Sequence, residues 1–476
     1  MSGLDISPAE FRRLADEVTA LCCSYLESLG ERPAFPQTSG VESQQLFSGP
    51  LPSRGIGPRA LGDLNAVLEH SRPPSPRFFG YVFGSGEPIA ALGDYIASVL
   101  NQNVTAWRSA PAAVTIEKTV VGWLAEAIGC TGFSGSLTGG GSSANLMALA
   151  MARESLLPAN ERGARAGSVY VSSEVHMSIP KAVALLGIGR ENIRSIPVDP
   201  EFRMDVEVLE QRLKEDVRAG LTPIAVVASA GTVSTGSIDD LASVAAIARH
   251  YGAWFHVDGA YGALAAIAVP EKFPGLALAD SLSLDPHKWL YQPADCGCLL
   301  YRDPAAARAA FSFTGDYARA LSQDPVEGFA FFEESMELSR RFRALKLWLS
   351  FRYHGLDAFR EAINADLALA QRLANRIAST NGLELLAPVS LSAVCFRYKE
   401  AAMSGEELNG LNARILHRVV HERRRVFISN ASLNGKFALR ACMVNHRASE
   451  ADVDAIVDEV VAAAADLRAH GATEPE

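Results

Sequence analysis

Lys288 is the residue of this sequence whose surroundings best suit nucleophilic chemistry. It follows an apolar, strand-like run at 281–284 and a proline turn, within the stretch Asp285-Pro-His-Lys-Trp289. Apolar neighbours at the end of a strand disfavour the ammonium form of a lysine, and the neutral amine is the form that attacks a carbonyl carbon. The pattern indicates Schiff-base chemistry, although a surface lysine after a strand would leave the same local pattern.

His176 and Asp258 also follow apolar, strand-like runs, at 168–173 and 254–258. A histidine at the end of a strand can stack on a flat ring or carry a proton, but taken alone it is more often a satisfied polar residue. A carboxylate that ends a buried strand needs a partner, and either a protonated ring nitrogen or a metal ion would serve. We predict no metal site, because no second carboxylate or histidine stands at a convincing ligand spacing.

A run of small residues at 138–145 precedes a predicted helix at 146–154 and contains Gly141 and Ser142. Glycines let the backbone approach a ligand closely, and a helix N-terminus with serine hydroxyls binds anions. The run is neither a dinucleotide fingerprint nor a Walker loop, and by itself it would serve equally well as a turn.

These features become specific when they are combined. Ser229 closes another strand-like run and adds a hydroxyl to the set. An anion cradle, a ring-stacking His176, the acid Asp258 for a ring nitrogen and the amine of Lys288 together match the requirements of pyridoxal 5′-phosphate, PLP. A nucleotide site would leave Asp258 and Lys288 without a role.

Helical and strand-like segments alternate between residues 90 and 300, and this alternation must position the set. Continuous apolar strands separated by helices predict a parallel sheet that is covered on both faces. Right-handed crossovers would then bring the carboxyl ends of the strands to one edge, where ligands bind. The predicted strands are 168–173, 224–229, 254–258, 281–284 and 298–301, and the predicted helices are 89–101, 112–128, 146–154, 179–186 and 239–251.

The chain is long enough for more than one lobe. A predicted helix at 338–353 is followed by a region in which helices alternate with strands, at 394–398, 426–429 and 437–441. We predict an N-terminal helical arm at 1–88, a large domain at 89–355 and a small α+β domain at 356–476.

Charge and cysteine content narrow the range of partners. The net charge is −10, from 44 basic and 54 acidic residues, which argues against nucleic acid and anionic membranes as partners. No run approaches the ~18 apolar residues of a membrane span, and no signal peptide is evident. An odd number of scattered cysteines, 7, predicts reduced thiols and a cytoplasmic protein.

The motifs resemble those of the group II PLP-dependent decarboxylases, which act on aromatic amino acids, histidine, tyrosine and glutamate. The resemblance covers about residues 8 to 470. It implies the aspartate aminotransferase-like architecture called fold type I, with a mostly parallel seven-stranded sheet covered by helices. It also implies a homodimer whose N-terminal helices pack across the interface. The motifs are Asp285-Pro-His-Lys-Trp289, His256-Val-Asp-Gly-Ala-Tyr261, Ser172-Ser-Glu-Val-His176 and Leu338-Ser-Arg-Arg-Phe-Arg-Ala-Leu-Lys-Leu-Trp348.

The resemblance also implies a role for individual residues. Lys288 would form the internal aldimine, Asp258 would pair with the ring nitrogen, and His176 would stack on the ring. The remaining cofactor contacts would come from Gly141, Ser142, Ser229, Ala260 and His287. In the aromatic branch of the family, the substrate pocket is lined at positions that correspond here to Phe79, Tyr81, Val82, Thr105 and Trp107.

Two positions depart from the family pattern. A mobile loop of the family carries a tyrosine that protonates the carbanion left by loss of CO2, and that position falls here at Phe331, or at Phe332 with a one-residue gap. The nearest loop tyrosine is Tyr317, and the loop could also align differently. Val82 and Thr105 stand where the aromatic branch has larger rings.

The function predicted from the sequence is PLP-dependent decarboxylation of a small-molecule L-amino acid, aromatic amino acids included, to the amine and CO2. Relatives with phenylalanine at the loop position couple decarboxylation to oxidative deamination and release an aldehyde, so Phe331 makes an aldehyde synthase the alternative. A catalytically silent PLP-binding protein is a third hypothesis, against which the presence of Lys288, Asp258 and His176 argues.

Overall fold

The N-terminal segment consists of helices that bury little of their own surface. This computed structural model of the protein describes residues 4–313 and 324–471. The first helix begins where the Ser7 hydroxyl accepts a hydrogen bond from the Glu10 amide at 3.1 Å, with a proline in its first turn. No side chain of these helices is buried in the subunit: α1 (Pro8–Glu27), α2 (Gly40–Phe47) and α3 (Leu64–His70).

A seven-stranded, mostly parallel sheet forms the centre of the subunit, as predicted. Its strands are β1 (Ser134–Thr138), β2 (Ser168–Ser172), β3 (Ile193–Ile196), β4 (Pro223–Ser229), β5 (Trp254–Asp258), β6 (Ser281–Leu284) and β7 (Gly297–Tyr301). Their spatial order is β1-β7-β6-β5-β4-β2-β3. The five predicted strands are confirmed to within one residue, whereas β1 and β3 were not predicted.

The direction of β7 corrects one expectation about the sheet edge. β7 runs antiparallel to both of its neighbours, β1 and β6, so β1 lies parallel to the rest of the sheet. The carboxyl ends of β1, β2, β4, β5 and β6 therefore share one edge, but β7 begins there instead of ending there. This arrangement brings the glycine loop after β1 and the turn before Lys288 to the same edge.

Helices cover both faces of the sheet, which explains why its strands read as continuous apolar runs. Val226 and Val257 point into the core on one face, and Val171 and Val227 into the core on the other. The helices of this region are α4 (Pro88–Leu100), α5 (Pro111–Ala127), α6 (Gly141–Leu156), α7 (Ser178–Leu185), α8 (Val206–Arg218), α9 (Leu241–His250) and α10 (Pro304–Phe311).

The C-terminal region has its own sheet and its own hydrophobic core. The chain reaches this region through α11 (Ala344–Ser379), which is interrupted at Gly355, where φ is +76°. The remaining elements are β8 (Leu383–Leu385), β9 (Ala393–Tyr398), α12 (Gly405–His417), β10 (Ser429–Leu433), β11 (Lys436–Cys442) and α13 (Glu450–Gly471), with the antiparallel sheet order β10-β11-β9-β8. The domain limits after residues 88 and 355 stay predictions.

Two predicted elements were wrong, in each case because a distant segment competes for the backbone. The helix predicted from 338 begins at Ala344, since the Arg340 amide donates to Asn103 Oδ1 and its carbonyl accepts from the Val104 amide. The strand predicted at 426–429 pairs instead with the segment near Phe78, and the ladder with β11 begins at residue 429. Within the described residues, no helix is both long and apolar enough to cross a bilayer.

Candidate active site

A cavity of about 290 Å³ lies at the sheet edge where the carboxyl ends of the parallel strands meet. Every residue that we predicted to contact the cofactor lines it: Gly141, Ser142, His176, Ser229, Asp258, Ala260, His287 and Lys288. The other lining residues are Gly139, Gly140, Ser143, Asn145, Gly231, Thr232, Val233, Tyr261 and Asp285. The fold thus gathers the predicted set into one place.

Where the glycine loop after β1 enters α6, there is no room for a side chain. A Cβ on Gly141 would stand 2.6 Å from the Cβ of Ala260, and one on Gly297 would stand 2.4 Å from the Cα of Gly140. Gly140 also has φ +139°, which residues with side chains rarely adopt. The loop presents bare backbone at the N-terminus of α6, and this geometry fits a phosphate group.

Asp258 at the end of β5 is held by neutral donors. Its Oδ2 accepts from Asn145 Nδ2 at 2.9 Å, and its Oδ1 accepts from Ser283 Oγ at 3.1 Å and from the Ala260 amide at 3.2 Å. These contacts orient the carboxylate without neutralising it. A protonated ring nitrogen in the cavity would supply the missing positive charge, so the site fits a pyridinium ring.

Lys288 lies on the turn between β6 and β7 and is paired with an acid that the sequence analysis did not assign. Its Nζ is 3.0 Å from Asp285 Oδ2, which also lies 3.6 Å from His287 Nε2. His287 Nδ1 donates to the backbone carbonyl of Cys296 at 2.7 Å, and burial lowers the pKa of this imidazole. The cavity therefore holds an amine within reach of the glycine loop.

His176 follows β2 and lines the same cavity as Lys288. Its Nδ1 is 2.8 Å from the hydroxyl of Ser178, at the start of α7. Burial lowers the pKa of His176, which favours a neutral imidazole. A neutral, half-buried imidazole can stack on a flat ring without adding a charge.

None of the residues predicted to line a substrate pocket lines this cavity within the subunit. Phe79 is packed in the C-terminal core and Val82 in the core beside the large sheet, whereas Tyr81 is exposed. Thr105 and Trp107 pair through their backbones with the segment at 329–332.

Phe331 lies in the interior and not at the cavity. It is fully buried, and the guanidinium of Arg340 is 4.1 Å from the centre of its ring. Arg340 in turn forms a buried ion pair with Glu117 and donates to the backbone carbonyls of Val104 and Leu137. Tyr317 lies outside the described residues.

Sequence reasoning missed Asn145 and Asp285, although both line the cavity. Each stands inside a motif whose other members were assigned, Asn145 at the end of the glycine-serine run and Asp285 just before the proline turn. The signal for them in the sequence was a polar residue inside a motif that was already assigned to the site. The partners of Asn145 could not be read from spacing, because they belong to other elements.

Comparison with known proteins agrees with this site. The family model described as "Pyridoxal-dependent decarboxylase conserved domain" matches residues 63–399. An aromatic-L-amino-acid decarboxylase of Bacillus atrophaeus is 32% identical over 98% of each chain, and a phenylacetaldehyde synthase of Petunia hybrida is 30% identical over 91% of this chain and 90% of its own.

Among solved structures, that of Oryza sativa TDC with PLP and tryptamine superposes with a TM-score of 0.91 at 26% identity, over 98% of this chain and 99% of its own. The fold type I architecture implied by the sequence motifs is thereby confirmed, and PLP is the cofactor. The chain belongs to the pyridoxal-dependent decarboxylase family and is a PLP-dependent amino acid carboxy-lyase.

Proposed function

We propose that Lys288 is the residue that binds PLP covalently and that decarboxylation takes place in the cavity it lines. The observation that carries this proposal is the presence of Lys288, Asp258 and the glycine loop on the wall of one cavity. Bound PLP supplies electron withdrawal from the bond between Cα and the carboxylate of an amino acid.

The protein's own groups would hold that chemistry in place. Asp258 would retain a proton on the ring nitrogen, His176 would cover one face of the ring, and the backbone at Gly141 and Ser142 would hold the phosphate. The lysine amine, freed by the incoming substrate, would remain beside Asp285 and could move a proton at Cα.

Covalent trapping tests the role of Lys288. Wild-type protein and the Lys288→Ala variant are incubated with PLP, reduced with borohydride and digested, and the labelled peptide is identified by mass spectrometry. We expect the label on residue 288 in the wild type, no label in the variant and a loss of CO2 release by several orders of magnitude. Lys181→Ala, at an exposed lysine near His176, is the matched control and should keep both the label on residue 288 and the release of CO2. Undiminished labelling and turnover in Lys288→Ala would contradict the proposal.

The substrate class that we propose is aromatic L-amino acids. Its support is the similarity to relatives whose names state aromatic substrates. Release of CO2 from tyrosine, tryptophan, phenylalanine and dihydroxyphenylalanine should exceed release from glutamate and histidine. The reverse order, or no turnover of any aromatic amino acid, would contradict this substrate class.

We propose an amine as the product, with an aldehyde as the alternative that the phenylacetaldehyde synthase similarity keeps open. The aldehyde route consumes O2 and water and releases the aldehyde, CO2, ammonia and hydrogen peroxide. Phe331, on which that alternative rested, is buried away from the cavity. Equal yields of CO2 and amine without peroxide would support the proposal, and peroxide and ammonia equal to CO2 would contradict it.

We also propose a cytoplasmic homodimer in which the N-terminal segment covers apolar surface. Phe11 of α1 stacks on Tyr95 of α4 with ring centres 6.5 Å apart, and both rings remain exposed in the subunit. α4 exposes further apolar side chains, at Leu92, Ile96 and Val99. Light scattering should give twice the chain mass of 50.8 kDa, and Ile96→Asp should shift the protein towards monomer. A wild-type monomer would contradict the dimer.

A further inference from the structure

The side chain of Asn145 stands at the centre of a buried hydrogen-bond network behind the cavity. It is 1% exposed and occupies the second turn of α6, directly after the glycine loop. Its Nδ2 lies 2.9 Å from Asp258 Oδ2 and 2.9 Å from Ser178 Oγ, and its Oδ1 lies 2.9 Å from His256 Nε2. One amide thus contacts three polar side chains from two other elements, β5 and α7.

The direction of the hydrogen bonds at Asn145 follows from Asp258, a carboxylate that can only accept. The indole of Trp254 can only donate, and it donates to Ser281 Oγ at 2.8 Å. His256 Nδ1 lies 2.9 Å from Ser281 Oγ and 3.1 Å from the Ser281 carbonyl oxygen, and His256 Nε2 donates to Asn145 Oδ1. The amide group of Asn145 donates to Asp258, which can only accept. The reversed amide would place two acceptors, its own oxygen and the carboxylate, against each other.

The protonation of His256 agrees with this direction. Burial lowers the pKa of His256, which favours a neutral ring, and the contact with Asn145 Oδ1 places its proton on Nε2. Chains of hydrogen bonds that point the same way polarise one another, so the last bond, to Asp258, is strengthened by those before it.

A second branch leaves the same amide and ends at His176. The other hydrogen of Asn145 Nδ2 is donated to Ser178 Oγ. Ser178 Oγ donates to His176 Nδ1 at 2.8 Å, and the Ser178 amide approaches the same nitrogen at 3.3 Å. The proton of the His176 ring is therefore on Nε2, and the orientation of the ring depends on Ser178.

We propose that Asn145 is a positioning residue that orients Asp258 and His176 together, one through each hydrogen of its amide. The inference rests on the proposed roles of Asp258 at the ring nitrogen and of His176 on the ring face. Because Asp258 and His176 share one donor group, Asn145 fixes the contact with the ring nitrogen and the contact with the ring face together.

The sharpest variant is Asn145→Asp, which keeps the shape of the side chain and the acceptor for His256 but has at most one proton to donate, so it cannot serve Asp258 and Ser178 together. Asn145→Ala removes all three contacts and serves if the aspartate variant fails to fold. Asn412→Ala is the matched control, because Asn412 is an equally buried amide with three hydrogen bonds, in the C-terminal lobe.

Two measurements are made on each protein. Nitrogen NMR of the histidine side chains in PLP-free protein reports which ring nitrogens of His176 and His256 carry protons, and titration with PLP gives the dissociation constant. We expect both histidine signals to shift in the Asn145 variants and PLP to bind at least about tenfold more weakly. Asn412→Ala should be less stable but should leave both readouts unchanged.

The outcomes separate this inference from the proposed function. Wild-type PLP affinity and unshifted histidine signals in Asn145→Ala would overturn the positioning role. Asp258→Asn is run in parallel for this purpose. If it weakens PLP binding while the Asn145 variants do not, only the positioning role fails. If it leaves PLP binding unchanged, the proposed role of Asp258 fails, whatever the NMR spectra show.

Discussion

Lys288 Nζ lies 3.0 Å from Oδ2 of Asp285, three residues earlier on the same turn. The two side chains are 18% and 5% exposed, so each largely depends on the other for its charge to be compensated. We expect Asp285→Asn to destabilise the PLP-free protein by about 1–3 kcal/mol, because it leaves a largely buried ammonium without its carboxylate. Urea unfolding of the PLP-free protein measures the change.

A double-mutant cycle provides the control for this pair. Lys288→Met should also destabilise the protein, since it leaves the buried Asp285 carboxylate without a cation. The double variant should recover part of the loss, with a coupling of about 1 kcal/mol or more. Additive changes would show that the pair contributes nothing to the free energy of unfolding.

The buried ion pair between Arg340 and Glu117 anchors the segment before α11. Both side chains are at most 1% exposed, and Arg340 also donates to two backbone carbonyls. Arg340→Lys should therefore destabilise the protein by about 3–5 kcal/mol, because a lysine cannot reproduce the forked contacts. Its neighbour Arg341 is 50% exposed, and Arg341→Lys should change stability by less than about 1 kcal/mol. Equal urea midpoints for the two variants would contradict this account.

The strand ends that carry His176, Asp258 and Lys288 could be predicted, because strands buried on both faces read as apolar runs with polar residues where they stop. The contacts of Asn145 could not, because they depend on how α6 packs against β5 and α7. The segment at 338–343 has helical spacing, but Arg340 pairs its backbone with residues 103–104 instead. Long-range backbone pairing of this kind leaves no local signal.

Gly141 tests whether the bare backbone of the loop holds the phosphate. A Cβ there would stand 2.6 Å from the Cβ of Ala260 and 3.1 Å from Asp285 Oδ2, so Gly141→Ala must displace the loop. We expect PLP to bind about tenfold or more weakly, as measured by fluorescence titration. Gly122→Ala, inside α5 with open space around it, should keep PLP affinity and stabilise the protein by about 0.5–1 kcal/mol. Wild-type affinity in Gly141→Ala would argue against the loop as the phosphate site.

Asp366 makes stability depend on pH near neutrality. Burial raises the pKa of this carboxyl to about 7, although Oδ2 accepts from the Tyr291 hydroxyl and the Asn445 amide. Because the unfolded pKa is about 3.9, the native state binds the extra proton between the two values, and stability falls as pH rises from about 4 to about 7. The loss is on the order of 3–4 kcal/mol.

Asp366→Asn should remove this slope, since the amide oxygen can accept both hydrogen bonds without titrating. Free energies of unfolding at pH 5 and pH 8 measure this slope. Relative to the wild type, Asp366→Asn should be more stable at pH 8 than at pH 5. Asp357→Asn, in the same helix at a side chain that is 85% exposed, should show the wild-type slope. A parallel slope in Asp366→Asn would exclude this residue as its source.

Substitution of Phe331 tests whether this residue is part of the core or takes part in proton transfer. Its ring packs edge-on against Phe329 with centres 4.9 Å apart, beneath Arg340. Phe331→Tyr should destabilise the protein by about 1–3 kcal/mol through its buried hydroxyl and should leave the ratio of amine to peroxide unchanged. Phe332→Tyr tests the alternative position, at a partly exposed neighbour, and should change neither the stability nor the product ratio. A shift of the product ratio in either variant would restore this segment to the reaction.

The position of β1 at the sheet edge has a consequence for how the chain folds. β1 pairs with β7, with Ser134 opposite Tyr301 and Thr138 opposite Gly297. The strand that bears the glycine loop therefore cannot pair until the last strand of the sheet has been synthesised. Closing so long a loop costs entropy, so we expect this pairing to form late. On a nascent chain, the phosphate end of the cavity is therefore completed after the strands that carry His176 and Asp258, and PLP can be captured only once translation has passed residue 301.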